Sequence, residues 1–249
     1  TSSEPVPVES GSGNVFSDLG LPNPGLALAK AELVQHIRTI IEERGLSGEE
    51  TRRLRRYAAE QRVTVNTLVQ GAWVLMLQRQ TGRRRVCFGV TVSGRPASVK
   101  GSEQMVGLFI NTLAMVEKPR GERKSGEWLR ALQEHNVRVR EHEATSLMEV
   151  QKYWGKGGEQ LFDTLVVFEN YPVGEALREK SGGEVEFGEV EAKEKTHYAL
   201  TLVVTAGEEL KLSYRQVGLG QERTRRIAEQ VEQLLGELIG PREPVLGQH

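Results

Sequence analysis

An α/β fold, a mixed sheet with packed helices, is what this sequence predicts, on three observations. The apolar pattern keeps helical spacing up to Thr81 and then changes to short strand-like runs from Val86 onward. Those runs alternate with further amphipathic helical stretches, as a layered α/β domain requires. Near the end, two apolar runs flank Ala206-Gly207-Glu208, a hairpin signal.

The elements follow in order. Residues 1–25 are rich in Ser, Gly, Pro and Glu and read as a flexible tail. From Leu26 to Arg44, Leu28, Leu33, Val34, Ile37, Ile40 and Ile41 recur at helical spacing, and Gly45 is a stop signal, so 26–45 is expected to be an amphipathic helix. Ser47-x-x-Glu50 has capping-box form and opens a second helix, with Leu54, Tyr57 and Ala58 inward. Thr64 or Asn66 opens a third, Thr67 to Gln80, apolar nearly all round and so expected at the centre of the core. Val86–Ser93 and Leu108–Val116 read as strands. Ser125 is expected to cap a long helix running to about Glu143, through Trp128, Leu129, Leu132, Val137 and Val139.

A short helix follows around Leu147–Trp154, then the glycine-rich loop Gly155-Lys156-Gly157-Gly158. Leu161–Glu169 and Val185–Lys193 read as strands, Ala199–Thr205 and Glu209–Gln216 as the hairpin, and Gln221–Ile239 as a last amphipathic helix. Residues 241–249 form a second tail.

Composition excludes several functions. The 249 residues carry 33 Lys and Arg against 34 Asp and Glu, a net charge of −1, which argues against nucleic acid and membrane surfaces as partners. The single cysteine, Cys87, permits no internal disulfide and no multi-cysteine zinc site. It lies in an apolar run and reads as a buried structural thiol. No apolar stretch has the length of a membrane span and the polar start is no signal peptide, so a cytoplasmic location is expected. The chain begins at Thr1, as expected of a processed or trimmed protein or a piece of a longer one.

Self-sufficient catalytic chemistry is missing. The five histidines show no ligand pattern; His135 and His142 share one helix face about 10 Å apart and read as solvated. There is no GxSxG elbow, Walker A loop or HExxH. The clusters Arg52-Arg53-Leu54-Arg55-Arg56 and Arg83-Arg84-Arg85 read as solvated faces, with carrier docking as a second use.

Four stretches exceed what a generic α/β layer needs: GVTVSGRP (89–96), MVGLFINTL (105–113), LFDTLVVFENYP (161–172) and YALTLVV (198–204). In this order, with VTVNTLVQGAWVLML (63–77), they closely resemble the C-terminal lobe of the condensation domain of nonribosomal peptide synthetases, over about residues 46–240. The resemblance implies one lobe of a chloramphenicol-acetyltransferase-like (CoA-dependent acyltransferase) fold. It implies peptide-bond formation between acyl and aminoacyl thioesters carried on phosphopantetheine arms of peptidyl carrier proteins, with no cofactor bound directly. In that family the HHxxxDG motif of the N-terminal lobe, at the seam between lobes, supplies the histidine that orients the acceptor amine or assists its proton transfer.

No two histidines are adjacent here, so HHxxxDG is absent from these residues. The family's GRP arginine is thought to pair with the aspartate of that motif, which makes Arg95 half of an inter-lobe contact. In the isolated chain Arg95 is expected to be solvated or paired locally, for example with Glu103. Ser93, Gly94, Asn111, Asn170 and Tyr198 are the positions the resemblance assigns to the substrate channel. Three family prolines are replaced, in NTLA (111–114), ATSL (144–147) and HYALT (197–201), each losing a fixed φ.

A second resemblance covers SGNVFSDLGLPNPGLALAKAELVQHIRTIIEERGLS (12–47), which is similar to the N-terminus of helix-turn-helix (XRE-type) regulators. The match stops before a recognition helix, so DNA binding would lack its base-contacting element. A plain amphipathic helix sealing the lobe explains the same residues. The expectation is a partial condensation domain, inactive without an N-terminal lobe. The alternatives are a docking module that holds a carrier protein without chemistry and a DNA-associated regulator fragment. An exposed lobe seam is also expected to favour self-association.

Overall fold

The computed structural model describes residues 12, 14–20, 22–28, 40–93, 101, 105, 107, 109–119, 124–155, 157–169 and 196–240. A helical turn, α1 (Val15–Asp18), is followed by β1 (Ile40–Leu46), α2 (Gly48–Gln61), α3 (Val65–Thr81), β2 (Val86–Val92) and β3 (Asn111–Glu117). Then come α4 (Ser125–Arg140), α5 (Leu147–Tyr153), β4 (Thr164–Glu169), the hairpin β5 (Leu200–Ala206) and β6 (Leu210–Gln216), and α6 (Gln221–Leu238). The expected strand Val185–Lys193 lies outside the described residues.

Six strands form one mixed sheet in the order β1-β6-β5-β4-β2-β3. Its centre, β2-β4-β5, is parallel, and antiparallel partners flank it on both sides. The strand period of two sorts side chains between faces. Phe88, Val90 and Val92, with Leu113, Met115, Val166, Leu202, Leu212 and Tyr214, point to the main core. Cys87, Leu165 and Val167 join a smaller cluster around Phe162 and Tyr198.

Helix α3 explains why the main core holds. Thr64 caps it by accepting the Thr67 N–H at 3.1 Å, and Gly82 ends it at φ 65. Between them Leu68, Val69, Ala72, Trp73 and Val74 are fully buried, each large side chain contributing about 1.5–3 kcal/mol on transfer from water. Gly71 admits the neighbouring helix: a Cβ there would meet Leu129 Cδ2 at 2.8 Å. Helix α2 begins with the expected capping box, Ser47 N donating to Glu50 Oε2 at 2.9 Å and Glu50 N to Ser47 Oγ at 3.3 Å.

Five details depart from the pattern-based expectation. Residues 40–46 are not the end of a helix over 26–45; they pair antiparallel with β6, from Ile40 opposite Gln216 to Leu46 opposite Leu210. The free edge of the hairpin supplies this stretch with a ladder of backbone partners, and tertiary pairing overrides helical spacing. Residues 29–39 lie outside the described set. The sheet thus takes in chain before Leu46. Ser125 does not cap α4; Lys124 holds the N-cap position and makes no side-chain capping hydrogen bond, while Ser125 is buried with its Oγ 3.4 Å from Tyr57 Oη.

Helix α4 also ends at Arg140 rather than Glu143, and Val137 faces outward, 54% exposed, because Leu129, Leu132 and Asn136 define the inner stripe. His135 is no solvated residue: half-buried, its Nδ1 pairs with Glu117 Oε1 on β3, while His142 is exposed as expected. The edge strand brings a carboxylate to that face of the helix, which spacing within α4 does not reveal.

Candidate functional site

The parallel strands β2 and β4 end side by side, and Ser93, exposed, is the first residue beyond β2. Val92 pairs with Asn111, the first residue of β3, so the sheet brings Ser93 and Asn111 to the same end. In open α/β sheets this C-terminal end is where ligands bind. A recess of about 290 Å³, open solvent included, lies there, walled by Asn66 and Gln70 of α3, Thr91 of β2, Asn136 and Arg140 of α4, and Phe168 of β4.

The polar members of this wall are held in different ways. Asn136 is buried and donates from Nδ2 to the Leu132 carbonyl at 3.1 Å, which fixes its amide on its own helix. Gln70 is 2% exposed and donates from Nε2 to Asn66 Oδ1 at 3.2 Å; its Oε1 is buried with no partner among the described residues. Arg140, exposed, brings the cation. Sequence patterning does not reveal this group. Asn66 reads only as a helix start, and Gln70 is hidden in a helix that reads as apolar all round. Two amides at i and i+4 in such a helix are the available signal.

Asn111 is tightly engaged. Its Nδ2 donates to the carbonyls of Glu143 at 2.7 Å and Thr145 at 2.9 Å, and its Oδ1 accepts the Thr112 N–H at 2.8 Å. Tyr198 stands two residues before β5, at the opposite end of the parallel strands from Ser93. There it is 7% exposed and stacks on Phe162 with centroids 5.3 Å apart, beside a second recess lined by Leu147, Gln151, Gln160 and His197. Burial pushes its phenol above the usual range. The structure therefore joins Ser93 and Asn111 but not Tyr198. Gly94, Arg95, Glu103 and Asn170 lie outside the described residues.

Other candidates resolve simply. Desolvation pushes the half-buried Cys87 thiol up to about 11, so it stays protonated at neutral pH and is a poor nucleophile. Arg52, Arg53, Arg55 and Arg56 are exposed on α2, as are Arg83, Arg84 and Arg85. Among the described residues no group of three His, Cys, Asp or Glu could hold a metal ion, and no helix is long and apolar enough to cross a membrane.

The mixed sheet with its packed helices has counterparts among known proteins. The condensation domain family model matches residues 16–245, and the chain belongs to that family. The match takes in most of the segment that also resembles helix-turn-helix regulators. The chain is 41% identical over 202 residues to one of the linear gramicidin synthase proteins of Brevibacillus parabrevis, covering 80% of this chain and 3% of that one. Its fold is similar to part of a four-domain nonribosomal peptide synthetase bound to AMP and glycine, with TM-score 0.72 and 14% identity over 83% of this chain and 17% of that one. It is also similar to that of the condensation domain of the Monacolin K polyketide synthase, with TM-score 0.71 and 17% identity over 84% of this chain and 48% of that one. The chloramphenicol-acetyltransferase-like lobe expected from the motifs is thus the observed fold. The chain spans only a small fraction of the synthetases it matches.

Proposed function

We propose that this chain is the C-terminal lobe of a condensation domain and serves amide-bond formation between carrier-bound acyl and aminoacyl thioesters in the cytoplasm. It does so together with a lobe bearing HHxxxDG, whether that lobe precedes it in a longer chain or comes as a separate one. The observation that carries this reading is the co-occurrence of GVTVSGRP at the end of β2 with a chain that spans 48% of a known condensation domain and contains no HHxxxDG. The histidine lobe orients the acceptor amine. This lobe supplies the opposite wall of the channel, for which the family resemblance names Ser93, Gly94, Asn111, Asn170 and Tyr198; of these, Ser93 and Asn111 share one end of the sheet and Tyr198 lies at the other. Phosphopantetheine enters on peptidyl carrier proteins and is not held as a resident cofactor.

Arg95 follows β2 by three residues and pairs, in this reading, with the aspartate of the absent motif. Removing one partner of such a buried pair costs about 3–5 kcal/mol. The test is peptide-bond formation by this chain combined with an HHxxxDG lobe and two loaded carriers. Arg95→Ala should reduce product to background while the melting temperature of this lobe stays put. Undiminished product would overturn the role of Arg95; no product from the unaltered pair would overturn the reading.

A second reading, a docking module without chemistry, draws support from the recess wall. Amides, a threonine and a guanidinium line it, and none of these accepts a proton near neutral pH. Binding of a phosphopantetheinylated carrier without turnover, even with the other lobe present, would favour it. The DNA-associated reading predicts salt-dependent DNA binding, which residues 40–46, engaged as a sheet strand, do nothing to support. Self-association through the lobe seam is tested by sedimentation of the isolated chain.

A further inference from the structure

We infer that the recess bounded by α5 and by the residues leading into β4 and β5 binds an uncharged hydroxyaromatic ring, a phenol. Tyr198 Oη and Gln151 Oε1 are the partners of its hydroxyl. The recess measures about 490 Å³, open solvent included, the ordinary size of a small-molecule site. It lies at the opposite end of the parallel strands from Ser93, so the inference does not depend on the condensation reading. Tyr198 carries the argument. It is 7% exposed and lines the recess, yet its hydroxyl has no hydrogen-bond partner among the described residues. The Tyr214 hydroxyl, also unpartnered among them, is sealed in the main core; that of Tyr198 is not sealed. Buried polar groups are normally paired, so a nine-tenths buried tyrosine with a free hydroxyl on a recess wall points to a partner from outside.

The surroundings select the ligand class. The stack on Phe162, centroids 5.3 Å apart, and the His197 ring, 4.3 Å away, hold the Tyr198 ring in place. Gln151 is held as well: its Nε2 donates to the Glu159 carbonyl at 2.7 Å, which leaves Oε1 to accept. A hydroxyl donor and a fixed acceptor in one recess complement a single group that accepts and donates at once, as an aromatic hydroxyl does. Leu147, Leu161 and Phe162 supply apolar surface for its ring, and no Lys, Arg, Asp or Glu lines the recess. A charged ligand would lose water there without gaining a counter-charge. An indole N–H would satisfy Gln151 and leave Tyr198 unpaired; a nucleotide would find no lysine or arginine for its phosphate.

The experiment titrates the ¹⁵N-labelled full chain and follows the side-chain amide resonances of Gln151 and Gln160. The probes are p-cresol, its methyl ether, toluene and indole. p-Cresol should give saturable shifts at both amides. The methyl ether keeps the acceptor oxygen but loses the donor, and should bind about fivefold more weakly, as loss of one hydrogen bond implies. Tyr198→Phe keeps the ring stack and removes the hydroxyl. It should weaken p-cresol by about fivefold, leave toluene unchanged and leave the melting temperature where it is. Equal affinities for p-cresol and toluene in the unaltered chain, or full p-cresol affinity in Tyr198→Phe, overturn the assignment. Indole binding more tightly than p-cresol also overturns it, because the ring class would then be wrong. So does the absence of any saturable shift, which would leave water alone as the partner of Tyr198.

Discussion

Asn111, the first residue of β3, donates from its side chain to the Glu143 carbonyl at 2.7 Å and so ties the sheet edge to the turn beyond α4. The same Nδ2 reaches the Thr145 carbonyl at 2.9 Å, one residue before the Ser146 cap of α5. One amide thus sets the position of the α4–α5 connection relative to the strand ends that carry the recess. Two hydrogen bonds of this kind, half-buried, contribute about 1–3 kcal/mol together. Asn111→Ala should lower unfolding free energy by that amount and raise amide exchange in α5 before it does so in α3. A variant as stable as the parent, with unchanged exchange, would free Asn111 from this structural task and return it to the substrate channel alone.

The α2 capping box makes stability depend on acid. Hydrogen bonds from the Ser47 hydroxyl and backbone hold the Glu50 carboxyl below its usual value of 4.5. A carboxylate whose folded pKa is depressed contributes stability that is complete above the unfolded value and is lost as pH falls through the folded one. The loss therefore begins near pH 4.5 and continues downward. Glu50→Gln should flatten that limb of the stability profile, and Ser47→Ala should cost about 1 kcal/mol at neutral pH. Chemical denaturation from about pH 7 to about pH 3 reads both effects; parallel profiles for Glu50→Gln and the parent would rule out the linkage.

Gly89 lies in the middle of β2, where Phe162 and Leu165 close over it. A Cβ there would press on the Phe162 ring and meet Leu165 Cδ1 at 2.9 Å. Gly89→Ala should destabilise by about 1–3 kcal/mol through overpacking. Phe162→Ala should itself cost about 3–5 kcal/mol through its cavity. The pair should cost less than the sum, since the second change makes room for the first, and a double-mutant cycle measures that coupling. Strict additivity would mean that the strand shifts rather than the ring.

The layers of this fold are readable because long periodic segments dominate it. Helices α2, α3 and α6 and strands β2, β4, β5 and β6 fall within a few residues of their pattern-based limits, with the Ser47–Glu50 box as a local stop-and-start mark. What is not readable depends on distant partners. Ile40 and Ile41 fit a helical stripe and a strand equally well, and only the free edge of β6, contributed by residues far along the chain, decides between them. Helix α4 shows the same limit: Val137 is apolar, yet the core meets α4 along Leu129, Leu132 and Asn136. At the site, the pairing of Val92 with Asn111 brings Ser93, the first residue after β2, to the end of the sheet where β3 begins. The amides that line the recess carry no motif, and their grouping emerges only when β2, β4 and α4 surround the α3 terminus.

Cys87 offers a test of how closed the second face of the sheet is. Its side chain sits with Phe162, Leu165 and Tyr198 in the smaller cluster, and burial raises the thiol from 9.0 to about 11. A thiol whose folded pKa is raised contributes stability that is complete below the unfolded value and is lost as pH rises towards the folded one. Stability attributable to Cys87 should therefore decline between about pH 9 and pH 11, and Cys87→Ser should lack that decline. At about pH 8 the folded chain should react with a thiol-specific disulfide reagent at least roughly tenfold more slowly than the chain in denaturant, since about two pH units of thiolate population are withheld. Equal rates would show that this face opens on the timescale of the reaction, and that the Phe162–Tyr198 stack does not seal it.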